Sequence, residues 1–414
     1  MSAMDKRVDR SRRDQIIVAS GDYLLLASAL DELGIHFRHR SDDTIPELQL
    51  AKLELPTLAA DMVKIRENVY LTRYAESVAD ASRPRGTLPS EIDDLGLLMF
   101  RLRFDFAYRY AGAELVIGLN RYVESTEASG EIGGGGSGSP VVVSGEIGGG
   151  GAGLPQVLLD KVRDRTLVDA GNHAGDSVRI GVMDTKIAPH AEFESLLHPD
   201  FTDKLTDDDA GAMAGHGVFG VGLILQAAPG AKLVSIPVFD GSGQAEAWDV
   251  ARKMMTFLDP EHTVDIVQMP FGAITRDGRQ PLVLATAARR LRQAGILLVA
   301  AAGNHGKSID PRVLPNAPSY PAALPEVIAV GAAAPARISP DPVDAPWINI
   351  TRPGQRLLST YLDNEYAVWG GSSFAAAVFV GEVAAAVNGS QSPHAVIADR
   401  LKEWRERFEK ENGA

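Results

Sequence analysis

Cysteine is absent from all 414 residues. That removes disulfides, thiolate nucleophiles and Cys-based zinc sites, and leaves any covalent chemistry to hydroxyl, imidazole and carboxylate groups. Long apolar runs are missing as well: GILLVAAAG (295–303) falls well short of the roughly 18 to 20 residues that a membrane span requires. Nor is there an excess of positive charge. The formal net charge of -13 repels phosphate backbones and anionic bilayers, so neither nucleic acid nor a membrane surface is expected as a partner. The opening MSAMDKRVDRSRRDQ is polar, and the apolar stretch that follows contains Asp22 and Asp31. No secretory leader is read there, and a cytoplasmic location is expected. What the composition supplies is ordinary: 45% hydrophobic and 23% charged residues, a folded chain with room for two or three domains.

The clearest boundary is glycine-rich. SGEIGGGG occurs at 129–136 and again at 144–151, separated by SGSPVVV. No Lys-Ser/Thr follows, as a phosphate-cradling loop would need, so the stretch reads as a tether. This divides the chain into a front domain (1–128), a linker (129–155) and a larger domain with a C-terminal helix (156–414). In the front domain QIIVAS, YLLLASALDELG, IHFRHR, LQLAKLEL, PTLAADMVKIREN and VYLTRY suggest the order βαββαβ, the split βαβ arrangement. RLRFDFAYRY (101–110) alternates Leu102, Phe104, Phe106, Tyr108 and Tyr110 with smaller or charged residues and reads as a further strand, with GAELVIGLNRYV returning beside it.

Beyond the linker the texture changes. Short runs such as VRIGVMD, KLVSIPVF, DIVQM, GILLVAAAG and EVIAVGA alternate with helical segments. Such a pattern predicts a mostly parallel sheet covered on both faces, with chemistry gathered at the carboxyl ends of strands. Asp184 ends the first run, and His216 stands between two glycines at the head of an apolar helix. Asn304 follows the fourth run, and Ser372 and Ser373 open a small-residue helix after Gly370 and Gly371. Each has a plain structural reading in isolation: a turn cap, a core histidine, a left-handed turn, a helix cap. His190, Glu192, Glu194 and His198 read as a solvated surface loop rather than metal ligands, and TDDDAG (206–211) as a charged loop without a calcium motif.

The four together, in the order Asp, His, Asn, Ser, resemble the subtilisin-like serine peptidases, or subtilases. DTKI is similar to the family's Asp motif, GHGVFGVG to its histidine motif, AAAGN to its oxyanion strand and GGSSFAAA to its nucleophile motif. The similarity runs over roughly residues 176–388. It implies a three-layer α/β domain in which Ser373 is the nucleophile, His216 its base, Asp184 the group that orients the base, and Asn304 an oxyanion donor. Gly241, Ser242 and Gly243, with Pro270, Phe271 and Gly272 opposite, would flank an extended protein or peptide substrate. The chemistry implied needs no cofactor; structural calcium occurs in many relatives but has no motif here. The resemblance also makes the front domain a propeptide-like, restraining intramolecular partner. An esterase would instead want a G-x-S-x-G elbow and the order Ser, Asp, His. A silent peptide-binding protein on the same fold is the other alternative. The chain departs from the family pattern at Lys186, at Val218 and Phe219, and at Ala377 and Val378.

Overall fold

A computed structural model describes residues 11–66, 94–109, 115–125, 155–158, 166–169, 171–193, 213–239, 244–275, 279–304, 316–333, 345–387 and 391–398. The front domain contains β1 (Ser11–Ala19), α1 (Tyr23–Glu32), β2 (Thr44–Ile45), β3 (Leu50–Glu54), α2 (Leu58–Asp61), α3 (Asp94–Arg109) and β4 (Ile117–Ser125). β1 pairs antiparallel with both β3 and β4, and β2 pairs with β3. The resulting order, β4-β1-β3-β2, is that of a split βαβ unit. Period-2 alternation sorts the central strand. Ile16 and Val18 face Leu26 and Leu30 of α1 and Leu95, Leu98 and Leu102 of α3, whereas Ile17 joins the core cluster of the larger domain.

The elements that close this unit differ from those expected. RLRFDFAYRY is the second half of α3, not a strand. Leu95, Leu98 and Leu102 are buried at i, i+3 and i+7, and this helical period, begun upstream, overrides the short alternation within the segment. IHFRHR contributes one isolated bridge, Arg38 to Glu54. The helix expected across PTLAADMVKIREN is reduced to α2 and a 3-10 turn at Met62–Lys64. VYLTRY lies outside the described residues, as does most of the 129–155 tether.

The larger domain runs β5 (Gln156–Leu158), β6 (Arg179–Val182), α4 (His216–Ala227), β7 (Lys232–Ser235), β8 (Gln244–Glu246), α5 (Ala247–Met255), β9 (Ile266–Met269), β10 (Phe271–Ile274), α6 (Leu282–Gln293), β11 (Leu297–Ala301), β12 (Ser319–Tyr320), β13 (Val327–Ala333), β14 (Ile350–Pro353), β15 (Leu357–Thr360), β16 (Tyr366–Trp369) and α7 (Ser372–Ala386). Residues 393–398 are also helical. Six strands form a parallel sheet in the order β14-β13-β11-β9-β6-β7. Alternate residues of β11 divide between its faces: Leu297, Val299 and Ala301 lie in the cluster with α4 and α7, Leu298 and Ala300 in that with α5 and α6. This is a three-layer α/β domain, as expected. The strand order reverses at β6, which opens a crevice at the carboxyl ends of β6 and β9. Among the described residues no helix is long and apolar enough to cross a membrane.

The two domains share a sheet. Ile117–Leu119 of β4 pair with β1, while Tyr122–Ser125 pair with β8 on one side and β10 on the other. One sheet therefore runs β12-β10-β4-β1-β3-β2 through both.

Candidate active site

Asp184 follows β6 into the crevice and is 1% exposed. Its Oδ1 accepts the Thr185 amide at 2.6 Å, so the backbone sets the carboxylate's orientation. His216 is the first residue of α4, and its Nδ1 lies 2.7 Å and 2.9 Å from the two Asp184 oxygens. Nδ1 facing a carboxylate is the N–H side of the ring, which leaves the lone pair of the neutral imidazole on Nε2. The approach of α4 is close. The Gly217 amide donates to Thr185 Oγ1 at 3.0 Å, and a Cβ at 217 would stand 2.7 Å from the Thr185 carbonyl oxygen. Glycine after the histidine is thus required by packing rather than by helix propensity.

Ser373 is the second residue of α7 and fully buried. Its Oγ donates to the Pro270 carbonyl at 3.0 Å, in the turn between β9 and β10. Amides in the first turn of α7 have no partner within the helix, and the helix dipole favours negative charge there. Gly303, with φ at +99°, turns the chain at the end of β11 and delivers Asn304. The Asn304 Oδ1 accepts the Ser372 amide at 3.0 Å, and Ser372 Oγ accepts the Gly303 amide at 3.0 Å. This reciprocal pair fixes the rotation of the Asn304 side chain against the start of α7. The sequence held Ser372 in plain view beside Ser373, but nothing in spacing marked it as the residue that clamps Asn304.

Of the residues expected to flank a substrate, Gly241, Ser242 and Gly243 lie outside the described residues; β8 begins at Gln244. Phe271 and Gly272 stand opposite Ser125 and Glu124 of β4. On the other edge Tyr122, Val123 and Glu124 pair with Glu246, Ala245 and Gln244. An extended segment from the front domain therefore occupies the groove between β8 and β10, one residue along β10 from the carbonyl that holds Ser373. Asn120, fully buried, anchors this segment. Its Nδ2 donates to Gln15 Oε1 at 2.6 Å and Glu246 Oε2 at 3.0 Å, and its Oδ1 accepts the Trp248 amide at 3.1 Å. It caps the first turn of α5 from another domain, a role that no local pattern around GLNRYV reveals.

His190 and Glu192 are held by the protein itself. His190 Nε2 bonds the Glu365 carbonyl at 3.1 Å and its Nδ1 accepts the Glu192 amide at 3.1 Å. Burial pushes this imidazole below its ordinary value. The Glu192 carboxylate accepts the amides of Leu167 and Val168 and the Tyr366 hydroxyl. Burial, and then the neighbouring Glu192, raise the Tyr366 phenol. Glu194, His198 and 206–211 lie outside the described residues.

Comparison with known proteins matches residues 175–401 to the Subtilase family. The major intracellular serine protease of Bacillus subtilis is 31% identical over 227 residues, 49% of this chain and 66% of that protein. A thermostable alkaline protease of Halalkalibacterium halodurans is 30% identical over 211 residues, 49% of this chain and 54% of the relative. The minor extracellular protease Epr of Bacillus subtilis is 28% identical over 220 residues, which cover 48% of this chain and 30% of Epr. The match thus spans from under a third to about two thirds of these relatives' own lengths. Among solved structures, a serine-to-alanine mutant of the protease domain of PatA aligns with 55% of this chain and 82% of that one, at 22% identity and a TM-score of 0.44. The family match covers more than half of the chain, and the chain belongs to the subtilase family.

Proposed function

We propose that this chain is a serine endopeptidase whose nucleophile is Ser373, restrained by its own front domain. The observation that carries the reading is the buried Asp184–His216 pair, its two short contacts lying in the subtilase frame beside the helix that bears Ser373. In this reading His216 Nε2 takes the hydroxyl proton as Ser373 Oγ bonds to a peptide carbonyl carbon. Asp184 stays ionised and stabilises the imidazolium. The oxyanion is met by the Asn304 amide and the Ser373 backbone N–H. The C–N bond then breaks, the leaving amine takes the proton from His216, and an acyl-enzyme remains. Water, deprotonated by the same histidine, releases the acid and restores the serine. Proton transfer and charge stabilisation are both supplied by the chain's own groups, so no cofactor is assigned.

The restraint follows from β4. A polypeptide substrate adds to the β8 and β10 edges as a strand, and β4 already pairs with both. The front domain is accordingly read as a propeptide-like partner that competes with substrate for the same edges.

A fluorophosphonate probe tests the reading directly. The expected result is an adduct that disappears in Ser373→Ala and forms faster once the tether at 129–154 is cut and the front domain is removed. Absence of any Ser373-dependent adduct after that removal would replace the peptidase with a silent peptide-binding protein.

A further inference from the structure

His216 sits in an aromatic shell that includes one residue, Phe219, at which the chain departs from the subtilase pattern. The ring of Phe374, the residue after Ser373, lies 4.8 Å from the imidazole centroid at an interplanar angle of 34°. Trp369 meets the imidazole at 5.6 Å and 84°. These two rings are 5.0 Å apart. Phe219, at one of the departing positions, backs both of them, 4.5 Å from Phe374 and 5.8 Å from Trp369. Tyr361 closes the far side against Trp369 at 6.4 Å. Phe374 and Phe219 are fully buried, and His216 is 1% and Trp369 3% exposed.

We propose that Phe374 is a positioning residue for the base: its ring, wedged by Phe219 and Trp369, fixes the imidazole plane and favours the protonated ring. The inference rests on the assignment of His216 as base. Two physical effects combine. First, a ring packed at 4.8 Å and locked by two further rings leaves the imidazole little freedom to rotate away from Asp184. Second, a cation within about 6 Å of an aromatic centroid is attracted by the ring's electron density, most strongly where water is excluded. The imidazolium exists while His216 holds the serine proton, so this attraction acts on the state that forms during the reaction. Asp184, after β6, bonds the ring directly, and Tyr361, after β15, stands behind Trp369. Asp184 supplies the charge at Nδ1. Burial, with Asp363 nearby, pushes the Tyr361 phenol up to about 12, so it stays neutral.

Removing the ring weakens the imidazolium, so the histidine gives up its proton at lower pH and accepts the serine proton less readily. Phe374→Leu is therefore expected to lower the titration midpoint of His216 by about one pH unit, equivalent to a tenfold change. The midpoint is read by NMR on the full chain in a Ser373→Ala background. In the full chain with Ser373 intact, the rate of fluorophosphonate attachment to Ser373 should fall roughly tenfold, and the acidic limb of its pH profile should move to lower pH. Phe219→Leu is the control. It loses similar packing, seen as a similar fall in melting temperature, and loosens the wedge behind Phe374, but leaves the ring on the imidazole, so its midpoint should fall by clearly less than in Phe374→Leu. Phe374→Met serves in place of the leucine variant should that one not fold. An unchanged or raised midpoint in the ring-less variant, or an equal shift in Phe219→Leu, overturns the proposal. The NMR midpoint stands apart from turnover. A chain that hydrolyses nothing but shows the shift loses the peptidase reading and keeps the aromatic one.

Discussion

At the scale of single residues, the site is built from groups whose worth depends on what holds them. Asp184 is useful because the Thr185 amide and the His216 ring fix both ends of its interaction. Asp184→Asn keeps the shape but turns a donor toward Nδ1, reversing the preferred tautomer, and should cost about 10⁴ in kcat with little change in KM. Asn304→Ala removes one oxyanion donor and should cost about 10² to 10³. Ser372→Ala is subtler. It leaves the Gly303 amide without its acceptor and so loosens the turn that carries Asn304, although the Ser372 backbone amide still bonds Asn304 Oδ1; it should lower kcat more than it weakens binding. Steady-state kinetics on the three variants, each freed of its front domain, separate these outcomes. His190 carries a stability prediction instead. Its folded value lies below the ordinary 6.5 through burial, so the unfolded chain binds more protons between the two values. The stability it contributes is complete above about pH 6.5 and is lost as pH falls from there toward the folded value. Melting temperature should drop across that window, and His190→Gln should flatten the drop while lowering the starting point. An unchanged slope would remove His190 from the account.

Elements bring those residues together, and here glycine placement decides more than helix propensity does. α4 must approach the Asp184 loop closely, and a Cβ at 217 would press on backbone that cannot swing aside. Gly217→Ala, favourable by propensity alone, should therefore destabilise the protein by about 1 to 3 kcal/mol and slow probe attachment at Ser373. A melting curve that rises instead would count against the packing argument. The same contrast explains what the sequence disclosed. The parallel sheet was legible, and with it the place of the candidate site residues, because each apolar strand ends in its polar residue: Asp184 after VRIGVM, Asn304 after ILLVAAAG. The α3 helix was not, because FDFAYRY alternates over a few residues and its helical period shows only when Leu95 and Leu98 are included. The clamps at Thr185, Ser372 and Asn120 were illegible for another reason: hydrogen bonds between distant segments leave no periodic trace.

At the scale of the whole molecule, the proposed restraint and the stability of the fold meet in one strand. β4 passes between β8 and β10, and Glu124 is paired with Gln244 on one side and Gly272 on the other, so a proline at 124 must break the ladder in whichever direction the lost N–H pointed. Glu124→Pro acts at the groove end, and Asn120→Ala at the cap of α5. The second variant strands the buried Trp248 amide and Gln15 oxygen, at a cost of about 1 to 2 kcal/mol. If the front domain restrains Ser373 by holding β4 between β8 and β10, either change should raise the rate of fluorophosphonate attachment to Ser373 in the intact chain, by about five- to tenfold. The two should also differ. Asn120→Ala should loosen the whole front domain and lower the melting temperature, whereas Glu124→Pro should open the groove with the β1–β4 pairing left in place. Equal attachment rates in both variants and the parent would mean that β4 occupies the groove without governing it, and would move the restraint to some other part of the chain.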